Sequence, residues 1–149
     1  MTLPAEYAFA IIKYGDGAEP EVFAGLCGIT NVSLNETMET TQRRVRDCAT
    51  PNKPGVSKSK IIGGSWSISG TGLTNSAQRA TMKTELFGKF VNYKVELYSD
   101  DSTDAGVLVG TEAGQAILTA NNMSLDQDGE SSLEITLEGQ GALVYTAAA

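Results

Sequence analysis

The sequence contains no histidine. Histidine is the side chain most often used for proton transfer near neutral pH, and it is the base of Ser-His and Cys-His nucleophile pairs. Its absence disfavours catalysis, so we predict that the chain is not an enzyme. Cysteine is scarce as well, because Cys27 and Cys48 are fewer than the four Cys or His ligands of a usual structural zinc site. We therefore predict no metal and no cofactor.

Two further absences concern location. No apolar run approaches the roughly 18 residues that a membrane-spanning helix needs. The N-terminus carries Glu6 and no Lys or Arg before its apolar segment, which is unlike a secretory signal. We therefore expect a protein kept in the cytoplasm of its producer, with no membrane partner. Reduced thiols are the default in that compartment, although the sequence leaves the pairing of the two cysteines open.

Proline is rare too, with four residues in the chain, and none lies inside a segment of clean polar–apolar alternation. Those segments predict a mainly β protein with one short helix at residues 75–87, in a single domain over residues 1–149. The predicted strands cover residues 6–14, 21–26, 29–37, 61–73, 90–98, 107–109, 115–125 and 132–141. We expect an antiparallel β-sandwich or partly rolled barrel. Its unblocked edges would invite a partner strand.

Two of these strands have a polar side made of small or acidic side chains. In GSWSISGTGL, residues 64–73, apolar positions alternate with hydroxyls, and SLEITLEGQG, residues 132–141, alternates in the same way. The two polar rows are Ser65, Ser67, Ser69 and Glu134, Thr136, Glu138. The core positions predicted on these strands and on residues 90–98 are Trp66, Ile68, Tyr93, Val95 and Ile135.

The net charge of −7 is distributed unevenly. Residues 43–60 hold six of the eleven basic side chains and are opposed by Asp47 alone. The six are Arg43, Arg44, Arg46, Lys53, Lys58 and Lys60. They lie within residues 38–60, which follow neither the helical nor the strand period, and which form a long basic hairpin arm if the flanking strands pair. An acidic body and a basic arm on one chain favour a second copy as the partner.

Three other functions remain open on the sequence alone. The basic arm could bind nucleic acid, although it has no aromatic residue to stack on bases. A monomeric β-sandwich module that binds a carbohydrate or peptide would need exposed aromatic side chains, for which Tyr7, Tyr14 and Tyr98 are candidates. A small enzyme built on carboxylates would depend on Asp100, Asp101 and Asp104, which lie in a segment typical of a solvated turn.

The order of these features resembles the tail tube, or major tail, proteins of long non-contractile-tailed bacteriophages and of gene transfer agents. The resemblance is carried by TNVSLNET, the basic PNKPGVSKSK, SWSISGTGL, the short helix and the C-terminal DGESSLEITLEGQGAL. It spans about residues 8–143. The shared features are β alternation and small residues.

The resemblance implies a β-sandwich flanked by a helix, assembled as hexameric rings that stack into a hollow virion tail through which the genome passes. It implies that residues 39–60 reach the neighbouring ring, and that residues 1–4 and 142–149 take part in stacking. The implied partners are other copies, a tape-measure protein, a tail terminator and baseplate or tip proteins. Assembly would take place in the cytoplasm of the host.

If the chain forms such a channel, the two polar rows become candidates for its lining. Short hydroxyls and carboxylates offer no cation to a phosphate, and DNA affinity comes mainly from Lys and Arg. DNA would then pass without specific binding. Alternation alone leaves the other assignment open, in which each row lies on an outer solvated face.

Overall fold

The computed structural model describes residues 7–26, 28–73, 76–129 and 131–148. Seven strands form one sheet in the order β2-β1-β5-β6-β7-β4-β3. The strands are β1 (Phe9–Gly15), β2 (Phe23–Gly25), β3 (Ile29–Val45), β4 (Val56–Gly72), β5 (Phe90–Ser99), β6 (Val107–Ser124) and β7 (Ser132–Ala147). A short helix, α1 (Ser76–Thr81), continues into a π-helical segment, Met82–Leu86. The sheet does not close into a barrel, because β2 and β3 lie at its two edges.

Neighbouring strands are antiparallel wherever their register is defined, and ten residues connect β3 to β4, too few for a parallel crossover. The Leu73 amide donates to the Gly28 carbonyl at 2.8 Å, at the end of the β3–β4 pair. The mainly β fold with one short helix that the sequence predicts is confirmed.

The chain divides into two units. The body unit is Met1–Asn35 with Trp66–Ala149, and the hairpin unit is Glu36–Ser65, which contains the outer parts of β3 and β4. The sequence analysis found no strand period in residues 38–60, yet β3 continues to Val45 and β4 begins at Val56. The physical reason is exposure: nearly every side chain of the hairpin unit is exposed, so no buried face imposes an alternating pattern.

The sequence predicts two short strands, residues 107–109 and 115–125, where the structure has the single strand β6. It is continuous from Val107 to Ser124 and includes Gly110 and Gly114. A methyl group at Gly110 would overlap the Tyr145 ring, and one at Gly114 would lie 2.7 Å from the Trp66 indole. These glycines therefore allow close packing on a strand and do not end it.

The core lies on one face of the body unit, and every core position predicted from the sequence is buried. Its buried side chains are Ile12, Leu26, Trp66, Ile68, Met82, Leu86, Tyr93, Val95, Ala116, Leu118, Leu133, Ile135 and Leu137. Met82 and Leu86 come from the π-helical segment, so this segment supplies buried side chains to the core. Asn75, with which the predicted helix begins, lies outside the described residues. The Tyr93 hydroxyl is buried without a hydrogen-bond partner among the described residues, and this burial raises the pKa of Tyr93.

Trp66 packs against the backbone of two neighbouring strands. Its indole lies against Gly114 of β6 and Gly139 of β7, and its Nε1 donates a hydrogen bond of 3.2 Å to the Gly141 carbonyl. A side chain at either glycine would occupy the space of the indole. Strand β4 is therefore joined to β6 and β7 through one aromatic side chain.

Replacing Gly139 by alanine tests this packing. The added methyl group would overlap the Trp66 ring, and overpacking of a core costs about 1–3 kcal/mol, so we expect a loss of that size in the free energy of unfolding. Trp66→Ala should lose about 3–5 kcal/mol. Chemical denaturation of the purified chain measures both losses.

Gly63→Ala is the matched control, because a methyl group there meets nothing within 4 Å. It should leave the free energy of unfolding within about 0.5 kcal/mol of the parent value or raise it. Equal losses for Gly139→Ala and Gly63→Ala would contradict the packing role of Gly139.

Candidate functional site

The face of the sheet opposite the core is called the open face here. It is defined by pairs of residues that lie directly opposite each other on neighbouring strands and alternate with the buried positions. These pairs are Lys13–Lys94, Ile11–Glu96, Asn92–Gln115, Ile117–Glu138, Ser67–Glu138, Ser69–Thr136 and Thr71–Glu134. All of them belong to the body unit, and β1, β5, β6, β7 and β4 contribute to the face.

The structure brings most of the two predicted polar rows together. Ser67 lies opposite Glu138, and Ser69 lies opposite Thr136, so hydroxyls of β4 and carboxylates of β7 form adjacent rows on the open face. Glu134 and Glu138 are exposed and have no hydrogen-bond or ion-pair partner among the described residues. Ser65 is exposed on β4 within the hairpin unit.

The sequence analysis did not single out the lysines of the open face. Lys13 Nζ lies 3.0 Å from Glu96 Oε2, and Lys94 Nζ lies 4.0 Å from the centroid of the Phe23 ring. The Tyr98 hydroxyl donates a 2.5 Å hydrogen bond to Glu96. The Tyr98 ring stacks on the Phe9 ring, with 5.0 Å between the ring centroids. The alternation in FVNYKVELY places Lys94 and Glu96 on one side of β5, and these two residues are the part of the cluster that the sequence could have indicated.

The environment of Glu96 favours its charged form. Burial alone would raise its pKa, but the hydrogen bonds from Tyr98 and Lys13, with the charges of Lys13 and Lys94, outweigh burial and hold the pKa below its ordinary value. The same hydrogen bond to Glu96, with some burial, raises the pKa of Tyr98 to about 12. Glu96 is therefore a carboxylate with fixed internal partners.

The hairpin unit has the opposite character. The side chains of all six predicted basic residues of the arm are exposed, and none of these side chains has an ion-pair or hydrogen-bond partner among the residues that the structure describes. The unit also exposes four large apolar side chains: Met38, Val56, Ile61 and Ile62. Two-stranded hairpins of this kind are marginally stable on their own. The hairpin unit thus presents both free cations and apolar surface.

In the body unit the basic side chains are mostly engaged. Besides Lys13 and Lys94, Arg79 Nη1 donates to Asn121 Oδ1 at 2.6 Å, and Lys89 Nζ donates to the Thr84 carbonyl at 2.8 Å. Lys83 has no such partner within the described part of the chain. Free positive charge is therefore concentrated in the hairpin unit.

Other residues named in the sequence analysis have local roles. Asp100 and Asp101 accept hydrogen bonds from the Ser102 and Thr103 amides, as turn residues do, so the acidic segment is a solvated turn. Cys48 is an exposed free thiol, whereas Cys27 lies outside the described residues. No group of His, Cys, Asp or Glu side chains in the described ranges has an arrangement that could hold a metal ion.

The aromatic candidates for a binding module do not form a ligand platform. Tyr98 is stacked on Phe9, and Tyr14 packs against the core, while Tyr7 is exposed. A cleft of about 530 Å³ lies beside the π-helical segment. Its Glu21 carboxylate already accepts hydrogen bonds from the Gly17 amide and the Asn92 side chain.

The sheet edges differ in length. Strand β3 forms one edge and has 17 residues, whereas β2 forms the other and has 3 residues. Within the described residues, β2 pairs only with Lys13–Gly15 of β1. Free edges of this kind present unpaired backbone donors and acceptors to a neighbouring chain.

The free sheet edges and the exposed hairpin are surfaces on which another protein chain can pack. A family model described as phage tail tube protein matches residues 9–145. The chain therefore belongs to the phage tail tube protein family. Proteins of this family are components of virion tails, and the chain is assigned to that location.

Solved structures share the fold. The tail of an empty gene transfer agent particle, refined with C6 symmetry, is 21% identical over 92% of this chain and 95% of that chain, with a TM-score of 0.61. The SPP1 tail tube is 14% identical over 97% and 80% of the two chains, with a TM-score of 0.59. The sheath–tube complex of an extracellular contractile injection system is 17% identical over 97% and 93%, with a TM-score of 0.64.

Two searches gave negative results, one among curated sequences and one for membrane-spanning helices among the described residues. A search among curated protein sequences found no match. In the described part of the chain, no helix combines the length and the apolar composition that crossing a bilayer requires.

Replacing Glu96 by glutamine tests the charge of the open-face cluster. Because the pKa of Glu96 is lowered, its contribution to stability is present above the ordinary value of 4.5 and is lost as the pH falls through the lowered pKa. We expect Glu96→Gln to lose about 1–2 kcal/mol at pH 7, and the gap from the parent chain to close on acidification. Denaturant titrations at pH 7 and pH 3 measure the two gaps.

Glu134→Gln is the control on the same face, since Glu134 is exposed and has no partner among the described residues. Its effect should stay within about 0.5 kcal/mol at both pH values. A gap for Glu96→Gln that is the same at pH 7 and pH 3 would show that the carboxylate charge does not contribute.

Proposed function

We propose that the chain assembles into hexameric rings that stack into a hollow tail tube, and that this tube delivers the genome. The observation that carries the proposal is the separation of free charge between the two units. Six partnerless cations lie in the hairpin unit, while free carboxylates such as Glu134 and Glu138 lie in the body unit. Opposite surfaces on one chain fit identical partners.

Contact between copies would provide partners for two kinds of exposed side chain in the hairpin unit. Its cations would meet carboxylates of another copy, and its exposed apolar side chains, among them Ile61 and Ile62, would be buried. The electrostatic part sets register and association rate more than affinity, because the Debye length is about 8 Å at physiological salt. The apolar part would supply most of the affinity. Together they make residues 39–60 the contact between successive rings.

The sheet edges support a ring. The long edge of β3 in one copy can pair with the β2–β1 edge of the next, which removes both free edges within the ring. A heterologous contact closes into a ring when the rotation between copies fits a whole number of subunits. Six subunits agree with the C6 symmetry with which the gene transfer agent tail was refined.

The open face is the proposed lining of the channel. Its rows of Ser67, Ser69, Thr136 and the two free glutamates would meet the DNA. Ser65, the third serine of the predicted row, belongs to the hairpin unit. Phosphates gain little from such a surface, because their affinity for proteins depends mainly on Lys and Arg. DNA would therefore slide through without specific binding.

Further partners follow from a tube of finite length. A tape-measure protein, a tail terminator and baseplate or tip proteins would contact the chain at the ends or in the channel, and residues 142–148 would take part in stacking. Residues 1–4 and 149, which the sequence analysis also expects in stacking, lie outside the described residues. Structures with the same fold include the baseplate and the tube-terminating cap of an anti-feeding prophage, at TM-scores of 0.65 and 0.64. Assembly would take place in the cytoplasm of the host.

Charge reversal in the hairpin unit tests the stacking contact. The variant carries Arg43→Glu, Arg44→Glu and Arg46→Glu. These side chains are exposed and unpartnered, so the fold should persist, while electron microscopy should show loss of tubes at concentrations where the parent chain forms them. If the parent chain needs an initiator, both chains receive a virion tail tip.

Two controls separate charge from other effects. Replacing the same three arginines by lysine keeps the charge and should retain most of the tube yield. Lys83→Glu changes an exposed cation of the body unit and should leave the yield unchanged. Unchanged tube yield in the triple glutamate variant would reject the hairpin cations as the stacking contact.

A further inference from the structure

Lys13 and Lys94 are the two basic residues in the strands of the body unit, and both lie on the open face. They are directly opposite each other on β1 and β5. Like charges in this position repel, so each lysine needs a compensating neighbour. They are also the groups on this face that could hold a phosphate.

Each lysine has a partner within the chain. Lys13 Nζ is 3.0 Å from the carboxylate of Glu96, and Tyr98 holds that carboxylate from the other side. Lys94 Nζ is placed 4.0 Å from the centre of the Phe23 ring, where the ring quadrupole attracts a cation. Both lysine side chains are only partly exposed.

We propose that Glu96 and Phe23 mask Lys13 and Lys94, and that this masking keeps the open face from binding the phosphates of double-stranded DNA. A lysine that is already paired with a carboxylate has little to gain from a phosphate, whereas an unmasked one would release counterions on binding DNA. The role of this masking in the channel rests on the proposed tail tube function. The masking itself is a property of the single chain.

The test measures DNA binding by the unassembled full-length chain. Fluorescence anisotropy with a labelled DNA duplex, at salt concentrations from about 50 to 200 mM, gives the slope of log K against log salt, which grows by about 0.9 for each phosphate neutralised. The free cations of the hairpin unit set the slope of the parent chain. We expect Glu96→Gln to steepen it by about 0.9, and Glu96→Gln with Phe23→Leu to steepen it by about 1.8.

Glu134→Gln is the matched control, because it removes one negative charge from the same face without releasing a lysine. It should leave the slope unchanged. The double variant Lys13→Gln with Glu96→Gln should return to the parent slope. Equal steepening in Glu134→Gln and Glu96→Gln would overturn the proposal, because net charge alone would then explain the effect, and so would no steepening in a folded Glu96→Gln chain.

The DNA-binding assay and the tube assay test the two proposals independently. A slope that does not change rejects the masking and leaves ring stacking through the hairpin unit as it was. If the charge-reversed variant forms normal tubes, the stacking proposal is rejected. The slopes measured for DNA binding are unaffected by that result. Circular dichroism of each variant confirms that the slopes belong to folded chains.

Discussion

The fold depends on the contact of one indole with two strands. Trp66 of β4 lies on the backbone at Gly114 and Gly139 and donates its N–H to the Gly141 carbonyl, so a single side chain connects three strands of the sheet. The bare backbone at both glycines is what admits the ring. Trp66 is also the first residue of the body unit after the hairpin unit, which ends at Ser65.

The two units differ in how many of their side chains are buried or paired within the chain. The body unit holds the buried side chains, and it keeps most of its lysine and arginine groups in internal contacts. The hairpin unit buries almost nothing and leaves all its cations unpaired among the described residues. An isolated two-stranded hairpin is only marginally stable, so contact with a partner surface would stabilise such a segment.

Much of the body unit could be predicted from the sequence, because burial on one face imposes a period of two. Trp66, Tyr93 and Ile135 were found in this way, and so were the two polar rows, although their pairing with each other was not predicted. Residues 38–60 of the hairpin unit could not be recognised as strands, since exposed strands carry no alternation. The contact of Lys13 with Glu96 depends on the β1–β5 register, which joins residues far apart in the chain and leaves no local signal.

The long outer strand β3 affects how polymerisation of the chain into a tube would start. A hairpin that is only marginally ordered in a free subunit must become ordered when it docks, so the first contact between two copies bears an entropic penalty with few bonds to offset it. Later copies meet a surface that is already ordered. Polymerisation of such a chain would therefore show a lag followed by rapid elongation, and a preformed end would abolish the lag.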